Sequence, residues 1–79
     1  MYNPFSLAGK TILITGASSG IGKATAIECS KLGAKVIITG RNRLRLEETF
    51  SSMSGNAHLL IEADLQYPSD IDMLIDSLP

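Results

Sequence analysis

Few structures can accommodate the segment TGASSGIG, which runs from Thr15 to Gly22 directly after the apolar run TILI. Its eight residues include three glycines and two serines. A plain turn needs only one or two residues of this kind. Glycine permits left-handed backbone and close approach of other groups, so the segment indicates either a tight strand-to-helix turn or a loop that cradles a phosphate.

Apolar runs and helical spacing alternate along the rest of the chain. Short, mostly apolar runs predict three strands, at Lys10–Thr15, Lys35–Thr39 and His58–Glu62. Three helices are predicted at Gly20–Leu32, at Asn42–Met53 and from Pro68 or Ser69 to Leu78. The order βαβαβα implies parallel strands, right-handed crossovers, the sheet order 3-2-1 and helices on both faces. The predicted fold class is therefore α/β, a Rossmann-like half of a dinucleotide-binding fold.

The three helices each carry a predicted apolar face. In the order of the helices, these faces consist of Ile21, Thr25, Cys29 and Leu32; of Leu46, Phe50 and Met53; and of Ile71, Leu74, Ile75 and Leu78. Ser18 or Ser19 is expected to cap the first helix and Asn42 the second, because short polar side chains accept from the free N–H groups there. Gly33 is expected to end the first helix.

The three glycines of TGASSGIG each have a predicted purpose. Gly16 lets the backbone turn sharply at the carboxyl end of the first strand. Gly20 leaves room for a pyrophosphate at the helix N-terminus, where free N–H groups and the positive end of the helix dipole lie. Gly22 lets the helix lie close to the sheet, and the hydroxyls of Ser18 and Ser19 can cap the helix or donate to ligand oxygens. The alternative, a turn without a ligand, is less favoured because the motif lies where this fold binds anions.

The spacing Gly-x-x-x-Gly-x-Gly after a threonine resembles the signature of the short-chain dehydrogenases/reductases. GKTILITG, LGAKV and EADLQ are similar to the same family, so the resemblance covers nearly the whole chain. It implies hydride transfer between a nicotinamide dinucleotide and an alcohol or carbonyl substrate. It also implies that the Ile21 N–H contacts the pyrophosphate, that Asp64 contacts the adenine amino group and that Leu65 contributes its backbone. The alternative for Asp64 is that it caps a turn.

The end of the second strand predicts NADP rather than NAD as the cofactor. An acidic residue usually holds the NAD ribose there, whereas this chain has Gly40 and Arg41 and no Asp or Glu between Lys35 and Leu46. The Arg41 guanidinium suits a 2′-phosphate, and Arg at this place resembles the NADP-preferring members of the family. The predicted cofactor site also includes Asn42.

Arg43 and Arg45 are interpreted as a solvated helix face. His58 has no metal-ligating partner at a suitable spacing and is interpreted as structural or exposed, so no metal site is predicted. Cys29 is expected to act as a small core hydrophobe, and Tyr67 to pack or cap. The net charge of −1 argues against nucleic-acid binding. No signal peptide and no apolar run of membrane-spanning length are visible. We therefore expect a cytoplasmic protein that does not bind a membrane.

The catalytic residues that the resemblance implies are missing from these 79 residues. The resemblance implies an active-site Ser, a Tyr-x-x-x-Lys pair and an Asn-Ala-Gly segment. Neither Tyr2 nor Tyr67 has Lys four residues later, and there is no Asn-Ala-Gly segment. We therefore expect residues 1–79 to be the N-terminal part of a dinucleotide-binding domain, truncated before a fourth strand and inactive alone. A stand-alone nucleotide-binding or interaction module is the alternative.

Self-association is also expected, because without a fourth strand the first strand has an exposed, uncharged edge. A homodimer or larger assembly through this edge, or by exchange of helices, is the prediction. A monomer with a frayed edge is the alternative.

Overall fold

The computed structural model describes residues 6–17 and 20–79. Its elements are β1 (Thr11–Thr15), α1 (Gly20–Lys31), β2 (Lys35–Gly40), α2 (Arg43–Ser52), β3 (Leu59–Glu62) and α3 (Pro68–Ser77). These are the six predicted elements in the predicted order, and no boundary differs from its prediction by more than one residue. The α/β class inferred from alternating apolar runs and helical spacing is therefore confirmed.

β2 is the central strand of the sheet and pairs in parallel with both β1 and β3. The register places Ile38 opposite Ile14 on one side and opposite Leu60 on the other. Four consecutive β2 residues, Val36 to Thr39, are buried, as expected for a strand with neighbours on both sides. The predicted sheet order 3-2-1 is thus confirmed.

α1 and α2 contact each other, and both contact β2, so these two helices share one face of the sheet. The reason is that β1, β2 and β3 follow one another across the sheet in a single direction. Two right-handed crossovers made in the same direction place both connecting helices on the same face. The expectation of helices on both faces therefore does not hold for α1 and α2. The core between these layers consists of Ala17, Ala26, Ala34, Val36, Ile38, Leu46 and Met53.

The buried face of α1 differs from the predicted one. Ala26 and Ser30 are buried, whereas Ile21 is 87% exposed and Thr25 is also exposed. The physical reason lies at Gly22, where a side chain would collide with the preceding turn. Gly22 must face that turn, and the residues four and eight positions later follow it toward the core. The predicted face was therefore wrong at its first two positions.

The faces of α2 and α3 were predicted in part. Leu46 and Met53 are buried, but Thr49 takes the buried place expected for Phe50. In α3 only Leu74 is buried, while Ile71 and Ile75 are exposed. Fewer residues of α3 are therefore buried than its apolar spacing predicted.

The predicted helix ends are confirmed where the structure describes them. The Asn42 side-chain oxygen accepts from the N–H of Arg45 at 3.1 Å, which caps α2. At the end of α1, Gly33 has φ of 98°, and the N–H of Ala34 donates back to the carbonyl of Cys29. Cys29 itself packs, partly buried, against the core. Ser18 and Ser19 lie outside the described residues, so their predicted roles stay predictions.

His58 has the structural role predicted for it. The N–H of Val36 donates to Nδ1 of His58 at 2.9 Å, which places the ring proton on Nε2, 2.6 Å from the carbonyl oxygen of Ser54. The N–H of Ser54 in turn donates to Oγ of Ser30 at 2.9 Å. This chain of bonds joins the end of α1, the α2–β3 connection and the start of β2.

Candidate functional site

Two glycines of the segment that follows β1 have backbone angles that favour glycine. Gly16 has φ of 66° and Gly20 has φ of 62°, in the left-handed region that other residues rarely adopt. A side chain at either position would meet nothing within 4 Å, so the space beside both residues is open. The turn thus offers exposed backbone between a strand end and the start of a helix, where anions bind.

Gly22 is required by close packing rather than by its backbone angle. A Cβ atom there would collide with the carbonyl oxygen of Gly16 and would lie 3.2 Å from the Cα of Ala17. Gly22 therefore lets α1 start directly against the turn that precedes it. Close packing at Gly22 was predicted, but the prediction placed α1 against the sheet. In the structure Gly22 packs against the backbone of Gly16 and Ala17.

Two buried hydrogen bonds hold the turn in place. The N–H of Ala17 donates to the carbonyl of Thr39 in β2 at 3.2 Å. The hydroxyl of Thr49 in α2 donates to the carbonyl of Ala17 at 2.8 Å. Sequence reasoning missed Thr49, whose only signal is a hydroxyl residue three positions after the core residue Leu46. The bond spans 32 residues, so no local pattern reveals it.

A cavity of about 580 Å³ lies at the carboxyl ends of the three strands, which is where open α/β sheets bind ligands. It is lined by residues that follow β1, β2 and β3 and by the first turn of α2. These residues are Thr15, Gly16, Thr39, Gly40, Arg41, Asn42, Arg45, Ala63, Asp64, Leu65 and Gln66.

The predicted site residues fall into three groups. Five of them line the cavity: Gly16, Arg41, Asn42, Asp64 and Leu65. Three others, Gly20, Ile21 and Gly22, form the start of α1 and are not part of the cavity wall. The remaining two, Ser18 and Ser19, lie outside the described residues. The turn and the ends of β2 and β3 are thus brought to one edge of the sheet.

Asp64 acts within its own turn and also lines the cavity. Its Oδ1 accepts from the N–H of Gln66 at 3.0 Å, and its N–H donates to Oδ2 of Asp70 at 2.8 Å. The turn-capping alternative is therefore present in the structure. Only Oδ1 of Asp64 takes part in this turn. The second carboxylate oxygen, Oδ2, can therefore accept a hydrogen bond from a ligand at the same time.

The arginines after β2 differ in their surroundings. Nε of Arg43 lies 3.2 Å from a carboxylate oxygen of Glu47, which agrees with a solvated helix face. Arg45 was given the same interpretation but lines the cavity together with Arg41. Among residues 6–17 and 20–79, no carboxylate forms an ion pair with Arg41 or Arg45. Arg45 is therefore a candidate site residue that sequence reasoning assigned elsewhere.

Thr39 carries a buried polar atom at the edge of this cavity. Its residue is 1% exposed, and its Oγ1 has no hydrogen-bond partner within the described part of the chain. A buried hydroxyl without a partner is costly, and such groups are often satisfied by a ligand or water. The residues present thus fit a polar ligand with anionic groups.

Two kinds of feature are absent from residues 6–17 and 20–79. No helix in these ranges has the length and apolar character needed to cross a membrane. No group of three or more His, Cys, Asp or Glu side chains in the same ranges is placed to hold a metal ion.

Comparison with known sequences points to one family of proteins. A family model described as short chain dehydrogenase matches residues 10–78. The hydroxysteroid 11-beta-dehydrogenase 1-like protein of Danio rerio is 39% identical over 94% of this chain and 27% of its own length. The NADPH-dependent pterin aldehyde reductase of Arabidopsis thaliana is 35% identical over 99% of this chain and 35% of its own length.

A solved structure shows the same similarity in three dimensions. The 3-ketoacyl-(acyl-carrier-protein) reductase of Brucella melitensis, complexed with NADH, matches with a TM-score of 0.83 at 39% identity. The match covers 91% of this chain and 29% of that one. This chain spans about a third or less of the length of the curated relatives that it matches.

Proposed function

The chain belongs to the short-chain dehydrogenase family, and on that basis we propose that it is the NADP(H)-binding portion of an oxidoreductase. The whole protein would transfer a hydride between the nicotinamide and an alcohol or carbonyl substrate. The observation that carries this proposal is the cavity that joins the glycine turn to Arg41 and Asp64 at the strand ends. The family match favours this function over a stand-alone binding module.

The residues of the chain have separate parts in this proposal. The open backbone of Gly16 and Gly20 and the start of α1 would receive the pyrophosphate, since free N–H groups and the helix dipole favour an anion there. Arg41 would bind the 2′-phosphate through its planar fork of donors. Asp64 would accept from the adenine amino group, with Leu65 beside it. When bound, the cofactor supplies or accepts the hydride at its nicotinamide ring.

Substrate choice and proton transfer belong to residues beyond this cavity. The 79 residues hold no Tyr with a Lys four positions later, so we expect them to bind the dinucleotide without turning over a substrate. A cytoplasmic location, expected from the sequence, is part of the same proposal.

The cofactor preference is tested at Arg41. We expect the chain to bind NADP⁺ roughly ten- to a hundredfold more tightly than NAD⁺, because a charge-assisted hydrogen bond contributes about 1.5–3 kcal/mol. Arg41→Ala should remove most of that preference and leave the affinity for NAD⁺ nearly unchanged. Isothermal titration calorimetry with both nucleotides measures the two affinities.

Arg43→Ala is the matched control, because it removes an equal charge from the same segment at a side chain already paired with Glu47. It should leave both affinities as they are. An NADP⁺/NAD⁺ affinity ratio that does not change in Arg41→Ala would contradict the assignment of Arg41 to the 2′-phosphate.

A further inference from the structure

The first turn of α2 carries two arginines with different partners. Arg43 is engaged by Glu47 and is absent from the cavity wall, whereas Arg45 is part of that wall beside Arg41 and Asn42. Residues two positions apart on a helix point about 200° apart, so the two side chains leave α2 on nearly opposite sides. Only one of them is therefore available to a ligand in the cavity.

The charge of the cavity depends on Arg45. Its wall contains Arg41, Arg45 and one carboxylate, that of Asp64. A second carboxylate, that of Asp70, accepts from the backbone N–H of Asp64 and is not part of the wall. Arg41 alone would at most balance Asp64, and a neutral site gives a phosphate dianion little electrostatic advantage. With Arg45 the two cations exceed the one carboxylate of the wall, and the wall is cationic.

The backbone of Arg45 is held at both of its polar groups. Its N–H donates to the side-chain oxygen of Asn42 at 3.1 Å, and its carbonyl accepts from the hydroxyl of Thr49 at 3.2 Å. The single hydroxyl proton of Thr49 is shared with the carbonyl of Ala17 in the glycine turn, which lies closer at 2.8 Å, so the contact with Arg45 is the weaker branch of a bifurcated bond. The base of the Arg45 side chain is thus fixed relative to both Arg41 and the turn, which reduces the entropy that a ligand contact costs.

We infer that Arg45 is a second specificity-determining residue, which binds the 2′-phosphate of NADP(H) jointly with Arg41. This inference rests on the proposed function, because it assigns a further residue to the same phosphate. One arginine comes from the β2–α2 connection and the other from the helix, so the phosphate lies between donors from two elements. Two cations bind a dianion more selectively than one, because NAD lacks the group that both of them contact.

The test uses the full 79-residue chain and isothermal titration with NADP⁺ and NAD⁺. Arg45→Ala should lower the affinity for NADP⁺ about tenfold, the lower end of the range for a charge-assisted bond, because the side chain is exposed to solvent and salt. Its affinity for NAD⁺ should stay within about twofold of that of the unaltered chain, as for a contact made only with the 2′-phosphate. Arg43→Ala is the control for charge and should change neither affinity. Circular dichroism should show the same helix content in all variants.

Each outcome separates the inference from the proposed function. If Arg41→Ala weakens NADP⁺ binding alone and Arg45→Ala has no effect, the inference is wrong and the proposed function stands. Equal losses in Arg45→Ala and Arg43→Ala, or equal losses for the two nucleotides, would also overturn the inference. If the unaltered chain binds NADP⁺ no better than NAD⁺, both are overturned.

Discussion

Thr49 shows how a single side chain can anchor the backbone that follows β1. Its residue is fully buried, and its hydroxyl donates at 2.8 Å to the carbonyl of Ala17, which is also fully buried. The N–H of Ala17 is held by Thr39, so the peptide groups on both sides of Ala17 are anchored. The glycines make the turn sterically allowed, and these two bonds select its position over the strand ends.

Thr49→Val is expected to destabilise the chain by about 1–3 kcal/mol, because it leaves the Ala17 carbonyl buried without its partner while keeping the volume similar. The urea midpoint of unfolding measures the loss. Ser51→Ala is the matched control: Ser51 makes a hydroxyl bond to its own helix at Glu47 and is exposed. That control should change the stability by less than about 0.5 kcal/mol. Equal losses in the two variants would contradict the role given to Thr49.

At the scale of elements, the connection from α2 to β3 is organised by side chains rather than by the sheet. Ala57 has φ of 67°, an uncommon value for a residue with a side chain, and His58 follows it immediately before β3. The His58 ring accepts from the N–H of Val36, which lies in the central strand. Ser54 and Ser30 extend the contact to the end of α1. Three elements are thereby fixed at the edge opposite the cavity.

His58→Ala is expected to lower the stability by about 1–3 kcal/mol, since the buried N–H of Val36 loses its acceptor. Hydrogen exchange at the Val36 amide should become faster than exchange elsewhere in β2, because the loss is local. The exposed neighbour Asn56, changed to Ala, serves as the control and should show neither effect. Unchanged exchange at Val36 would show that the ring nitrogen does not hold this amide.

At the scale of the whole molecule, β1 is an apolar strand at one edge of the sheet, and β3 forms the other edge. In the sheet order, β1 pairs with β2 on one side only, and within residues 6–17 and 20–79 no strand lies on its other side. The strand TILIT has no charge, and Leu13 at its centre is 41% exposed. Such an edge is a template for another chain, since native sheets commonly protect edges with charges or prolines.

The expected result is self-association through β1, in a homodimer or larger assembly. Light scattering over a concentration series should report a mass above that of one chain, and Leu13→Lys should shift the population toward monomer because a charge blocks pairing at an edge. Leu44→Lys is the control, since Leu44 is 73% exposed on α2. A monomer at every concentration would contradict the prediction, and an assembly that survives Leu13→Lys would place the contact elsewhere.

Much of this molecule can be inferred from local patterns in the chain. The order of strands and helices, the sheet order and the turn at Gly16 follow from apolar runs, helical spacing and glycines, which act within a few residues of one another. Five of the ten predicted site residues also line the cavity, because the carboxyl ends of neighbouring parallel strands meet at one edge.

Other features depend on how distant elements dock. The buried face of α1 is set by the contact of Gly22 with the turn, so Ala26 is inside and Ile21 is in solvent. Thr49 reaches Ala17 across 32 residues, and Arg45 rather than Arg43 joins the cavity because α2 packs at one particular rotation. Periodicity shows which residues share a helix face. The direction of that face is set by packing between elements, a long-range interaction that a linear pattern does not contain.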